Sequence, residues 1–304
     1  MNSRLFNRRQ FLRTTALALP LAAGCVSSKP SRRASSHQNE FVTVRDGQFR
    51  LGGEPYAFIG SSLWFGCYLA DPALHGGQAR LTRELDRLQK IGATNIRLLA
   101  GSETSPLVGA IPRGITRAPR DWDEDLLCGL DFCLAELGKR NMRGVLFLSN
   151  YWQWSGSFAQ YVRWATGENI PDPDLPTMAG GDWGAFMRMS ARLYTTPAAN
   201  QLYLDYVSHL INRRNTVNGR LYREDPTIMT WELANEPRPG TDEENVAWIT
   251  EGTASSSSWT ASYRSIISSL PRTLSTVARR MLSSEPRIFR QLLIDSSSNS
   301  EAAG

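Results

Sequence analysis

The sequence predicts an α/β protein assembled from parallel strand–helix units. Three observations predict it. Short apolar runs of strand length alternate with longer segments whose apolar residues recur at helical spacing. The run Thr227–Leu233 is apolar, rich in strand formers and too short for a helix. Ala234, Asn235 and Glu236 follow it, and Pro237 and Pro239 then stop regular structure. In a parallel α/β barrel that end of a strand is where chemistry sits.

The elements follow in order. Phe41–Val44 and Gln48–Leu51 suggest two short strands joined by Arg45-Asp46-Gly47. Tyr56–Gly60 is the first candidate strand of the main sheet and leads into Ser61–Tyr68. Leu81, Leu85, Leu88 and Ile91 lie at helical spacing, with Gly92 as a cap. Thr94–Leu99 is the second strand, Trp122–Lys139 the second helix and Arg143–Leu148 the third strand. A long connection then runs from Ser149 to about Pro197. Its aromatics are Tyr151, Trp152, Trp154, Phe158, Tyr161, Trp164 and Trp183. Long insertions in compact domains are functional or disordered, and this one is too aromatic for disorder. Gln201–Asn212 is the third helix and Thr227–Leu233 the fourth strand.

At 304 residues the chain suits one large domain or two small ones, preceded by a leader. Arg8-Arg9 with Phe11 and Leu12 precedes an apolar stretch from Thr14 to Ala23. That stretch is too short for a mature spanning helix. The pattern resembles a twin-arginine export signal, with an ordinary secretory leader as the alternative. Leu21-Ala22-Ala23-Gly24-Cys25 resembles a lipoprotein cleavage box, which makes Cys25 the candidate lipidated residue and membrane anchor. Residues 26–40 read as a flexible tether. The expected location is therefore periplasmic, lipid-anchored or secreted.

Charge discriminates little. The formal net charge is +5, and four leader arginines (Arg4, Arg8, Arg9, Arg13) account for all but +1 of it. No basic stripe points to nucleic acid. Cys67, Cys128 and Cys133 match no zinc spacing, and the three histidines are scattered. They read as buried free thiols, and no metal is expected.

An acid beside an amide suits glycosidic bond cleavage. The acid protonates the leaving oxygen, and the amide hydrogen-bonds a hydroxyl next to the reacting carbon. The block Thr227–Gly240 resembles the proton-donor signature of glycoside hydrolase family 5, in its β-mannanase branch. Asn150-Tyr151-Trp152-Gln153-Trp154, Tyr206–Asn215 and Glu224–Trp231 are similar to that branch as well. The resemblance covers roughly Phe41–Trp248 and implies a (β/α)8 barrel. It implies Glu236 as general acid/base and Asn235 as the amide on the 2-hydroxyl. Arg97 is then the arginine that keeps a nucleophile carboxylate ionised. Trp64, Tyr68, Trp152 and Trp154 are candidates for lining substrate subsites. Glu232 lies within the strand and reads as a buried acid with a structural partner. The implied reaction is retaining endo-hydrolysis of β-1,4-mannosidic bonds in mannan, glucomannan or galactomannan by a monomer without a cofactor. Action on β-glucan and non-catalytic saccharide binding are the alternatives.

Past Trp248 the sequence departs from the family pattern. Serine runs appear at Ser255–Ser258, Ser283-Ser284 and Ser296–Ser298, with arginine as the only basic residue type. A full barrel takes about 250 residues, and four more strand–helix units need on the order of 120. The expectation is a domain over 41–249 truncated after about four strands, with residues 250–304 an aberrant tail produced by a frameshift or a misplaced gene end. None of Glu251, Glu285 and Glu301 follows a buried strand, so the nucleophile is expected to be missing. An inactive, poorly soluble product with an exposed sheet edge would follow.

Overall fold

The structure, a computed structural model, describes residues 37–45, 48–238 and 241–254. The leader, Cys25, most of the tether and the serine- and arginine-rich segment from residue 255 lie outside the described residues.

The expected hairpin is present and gains a strand. β1 (Thr43–Arg45), β2 (Gln48–Leu51) and β3 (Glu54–Pro55) form an antiparallel sheet in that order. The segment before it is anchored by the buried Arg143 guanidinium, whose Nη2 donates to the carbonyl of His37 at 2.7 Å.

The first strand of the main sheet is displaced from its expected position. β4 is Gly60–Ser62, whereas Tyr56–Ile59 carry no ladder. Register explains this. Gly60 pairs with Asn95, the first residue of β5 (Asn95–Leu99). Residues before Gly60 therefore run past the start of their neighbour, and Ile59 is 62% exposed. Between these strands come α1 (Gly66–Leu69) and α2 (Gly77–Lys90). Leu81 and Leu85 are buried as the helical spacing predicts, but Ile91 is exposed. The helix ends at Lys90, and Ile91 leaves α geometry as its C-cap.

After β5 the chain makes a small ribbon, β6 (Thr116–Ala118) with β7 (Asp121–Trp122). The helix expected from Trp122 starts two residues later as α3 (Glu124–Lys139). Asp123 sets that start, because its Oδ1 accepts from the Leu126 amide at 3.1 Å. β8 (Arg143–Phe147) follows.

The connection after β8 is substantially helical, which its aromatic content obscured. α4 (Phe158–Thr166) is capped by the Ser157 hydroxyl, and α5 (Trp183–Ala191) by Asp182. Phe158, Tyr161 and Val162 fall on one face of α4 and are buried, so many of the insertion's rings are core. α6 (Pro197–Ile211), β9 (Ile228–Glu232) and α7 (Asp242–Ala254) complete the described chain.

The main sheet is parallel throughout, in the order β4-β5-β8-β9. Strand order thus equals chain order, as expected for successive βα units. Ile96, Leu98 and Leu146 from the strands, with Leu148 just after β8, share one core with Leu126, Leu130, Leu134 and Leu137 of α3. Each fully buried leucine contributes about 1.5–3 kcal/mol. Cys67 and Cys133 are buried free thiols, but Cys128 is only half-buried because it faces the margin of an ion cluster. That cluster locks α3 to the turn after α6. Arg213 donates to both oxygens of Asp131 at 3.0 and 2.7 Å and to both oxygens of Glu124 at 3.1 and 2.7 Å. Asp131 also accepts from the Tyr222 hydroxyl at 2.6 Å and the Thr216 hydroxyl at 2.8 Å.

Candidate active site

Parallel pairing brings residues far apart in sequence to one edge. Arg97 on β5 lies opposite Val145, and Phe147 on β8 lies opposite Glu232 on β9. Nε and Nη2 of Arg97 both donate to Glu232 Oε2, the former at 2.9 Å. Nη2 also donates to Asn235 Oδ1 at 3.0 Å. The guanidinium lies 4.2 Å from the centroid of the Phe147 ring, a cation–π contact that adds to its orientation. Glu232 is thus half-buried rather than buried, with Arg97 as its partner.

Asn235 is held from two sides. Its Nδ2 donates to Asn150 Oδ1 at 3.0 Å while its Oδ1 accepts from Arg97. Its amide donates to the carbonyl of Ser149 at 2.8 Å. Asn150 also accepts from the Trp152 amide at 3.2 Å. Orienting Asn235 therefore requires Asn150, a role that sequence reading did not assign to it.

Glu236 is exposed, and its Oε2 accepts from Trp152 Nε1 at 2.8 Å. Its backbone φ is +46°. A left-handed backbone at a non-glycine residue costs roughly 1–2 kcal/mol, and Pro237 behind it closes off the right-handed helical alternative. The strained turn points the carboxyl at the indole rather than along the strand. The Arg238 guanidinium lies over the ring of Trp152, 5.4 Å from its centroid.

The four predicted subsite aromatics divide into two groups. Trp152 lies beside Glu236 and packs against Trp183 at 6.2 Å between centroids. Trp64 meets Trp154 at 5.2 Å and Tyr68 at 6.4 Å. Trp64 is 37% exposed. Tyr68 is largely inside, and its hydroxyl bonds to the Ser102 hydroxyl at 2.8 Å. Burial raises its pKa far above the ordinary phenol value.

Beneath this shelf sits a carboxyl that sequence reading missed. Glu103 follows β5 and is fully buried. Its Oε1 accepts from the Ser149 hydroxyl at 2.9 Å, and its amide donates to the carbonyl of Ser155 at 2.8 Å. Burial drives its pKa up to about 8. No spacing in the sequence links it to Ser149, 46 positions away.

An amide, an acid and a surface of indole rings at the C-terminal edge of a parallel sheet form the kind of site that hydrolyses glycosides. The comparisons agree. The family model described as GH family 5 beta-mannosidase-like matches residues 39–269. The chain belongs to this family, glycoside hydrolase family 5. It is 32% identical over 199 residues to mannan endo-1,4-beta-mannosidase 1 of Arabidopsis thaliana, covering 65% of this chain and 42% of that protein. It is 31% identical over 203 residues to the Solanum lycopersicum protein of the same name, covering 66% and 45% respectively. The chain therefore spans about half the length of the curated relatives it matches. The crystal structure of a family 5 mannosidase from Rhizomucor miehei superposes with a TM-score of 0.64 at 34% identity. That match covers 72% of this chain and 55% of the fungal one. A variant of the fungal enzyme has been solved with mannosyl-fructose.

Proposed function

We propose that this chain carries the acid/base half of a retaining endo-β-1,4-mannanase, with Glu236 as general acid/base. The observation that supports this best is the pairing of Glu236 with Trp152 beside an Asn235 already fixed by Arg97 and Asn150. Glu236 protonates the departing glycosidic oxygen and later deprotonates the incoming water. Asn235 offers its amide to the 2-hydroxyl of the sugar, and the indoles of Trp152, Trp64 and Trp154 stack on sugar C–H faces. The named activity of the plant relatives and the mannosyl ligand of the fungal enzyme favour mannan, glucomannan or galactomannan over β-glucan.

The retaining route needs a second carboxylate about 5–5.5 Å from the first. Glu232 and Glu103 join the hydrogen bonds around Asn235, through Arg97 and Ser149 respectively. Glu232 is engaged by Arg97 and Glu103 is buried. That favours a second reading for the chain as written, in which it binds mannan without cleaving it. Reducing-sugar release from soluble mannan, with Glu236→Gln alongside, separates the two. Release abolished by the substitution supports hydrolysis. Mannohexaose binding without release, unchanged by the substitution, supports the binding reading. Neither binding nor release rejects both.

A further inference from the structure

We infer that Glu103 is a positioning residue that seats the Ser149–Ser157 turn and thereby sets Trp152 against Glu236. Both ends of that turn meet Glu103. Its start is held by the Ser149 hydroxyl on Oε1 at 2.9 Å. Its end is held by the Ser155 carbonyl, which accepts from the Glu103 amide at 2.8 Å. Between these, Gly156 has φ of +105°, and a Cβ there would lie 2.1 Å from the Glu103 carbonyl oxygen. Only glycine allows the turn to lie so flat on this residue. The Tyr161 hydroxyl, from the helix that the turn leads into, faces the same carboxyl without closing a full hydrogen bond.

The consequence reaches the site by a short path. Ser149 presents its carbonyl to the Asn235 amide at 2.8 Å, and its neighbour Asn150 bonds the Asn235 side chain at 3.0 Å. Asn150 also accepts from the Trp152 amide, and the Trp152 indole holds Glu236. One buried carboxyl, closed off from solvent, thus underlies both the amide and the indole of the site. A buried acid kept neutral by its surroundings also donates a hydrogen bond, so glutamine is its close mimic.

The test reads the Trp152 indole N–H resonance in the full chain labelled with 15N-tryptophan, assigned through Trp152→Phe. Glu103→Ala is expected to displace and broaden that resonance while Trp231 in the sheet keeps its position. Glu103→Gln is expected to restore it. Ser149→Ala keeps the carboxyl and removes one bond, so it should give a smaller displacement of the same signal, and it carries the test should Glu103→Ala not fold. An unmoved Trp152 signal in the alanine variants, or an equal shift of all tryptophans, overturns the inference. None of this requires a substrate, so it stands apart from the mannan reading. On that reading, Glu103→Ala weakens mannohexaose binding by about tenfold, the equivalent of one lost hydrogen bond. A displaced Trp152 in a protein that never bound mannohexaose would reject the mannan reading and leave the positioning role intact.

Discussion

Arg213 with Asp131 and Arg97 with Glu232 are the same chemical pair in two settings. The first is sealed, with side-chain exposures of 6% and 0%. The second sits at the edge of the sheet, with exposures of 32% and 28%. Burial alone would lower the Arg213 pKa, yet its bonds to Asp131 and Glu124 raise it. Both carboxylate oxygens of Asp131 are occupied by Arg213, Tyr222 or Thr216. A sealed pair of this kind has no water to replace a lost partner. The Arg97 pair keeps access to solvent, and Arg97 divides its donors between Glu232 and Asn235. The sealed pair fixes one arrangement, whereas the open pair can exchange partners when a ligand arrives.

Removing one partner from each pair tests this contrast most directly. Arg213→Met should cost about 3–5 kcal/mol, because it strands a buried carboxylate. Urea denaturation reads that loss, and a cost below 1 kcal/mol would end the comparison.

The next effect comes from Glu103, a buried acid with no cation hydrogen-bonded to it among the described residues. Its ordinary value is 4.5 and its folded value about 8. Between these the folded chain holds a proton that the unfolded chain releases, so stability falls as pH rises through the window. The titratable groups facing it, Tyr68, Tyr161, Tyr203 and Tyr206, are phenols that burial pushes upward, so they add nothing below pH 8. The melting temperature should drop on the order of 10 °C across this range. Glu103→Gln should flatten that slope, and an unchanged slope would assign it to other groups.

Tyr222→Phe trims one bond from the sealed cluster and should cost about 1 kcal/mol. The smallest effect on stability belongs to Arg97→Met, under about 1 kcal/mol after allowance for solvent screening. On the mannan reading proposed above, its mannohexaose affinity should nevertheless fall at least about tenfold, because Asn235 loses a tether. A stability loss equal to that of Arg213→Met would show that both pairs are structural.

What the sequence reveals of this molecule follows from range. Leu81 and Leu85 announce a helix because their spacing is local, and both are buried. Asn235 and Glu236 stood out because they follow a buried strand, where a parallel sheet gathers its chemistry, whereas Arg97, in the middle of β5, came only from the family resemblance. The start of β4 was misplaced because register depends on where Asn95 lies, which Tyr56–Gly60 cannot encode. The helices α4 and α5 begin at Ser157 and Asp182, whose caps are local signals, and their rings Phe158, Tyr161 and Phe186 are core. Glu103 left no mark at all. A lone glutamate after a strand reads as a surface acid until Ser149, Ser155 and Gly156 are seen to close over it.

The order β4-β5-β8-β9 has a consequence for how the chain is made. Each strand pairs with one synthesised before it, and the intervening helix is available to cover the new pair at once. A ribosome therefore delivers the sheet as a growing edge, with no strand waiting for a distant partner still to be translated. The slowest closure is the one across the insertion between β8 and β9, where the site is assembled. Pauses in translation should matter most while residues 149–227 are emerging, because until Glu232 arrives Arg97 faces that edge without its carboxylate.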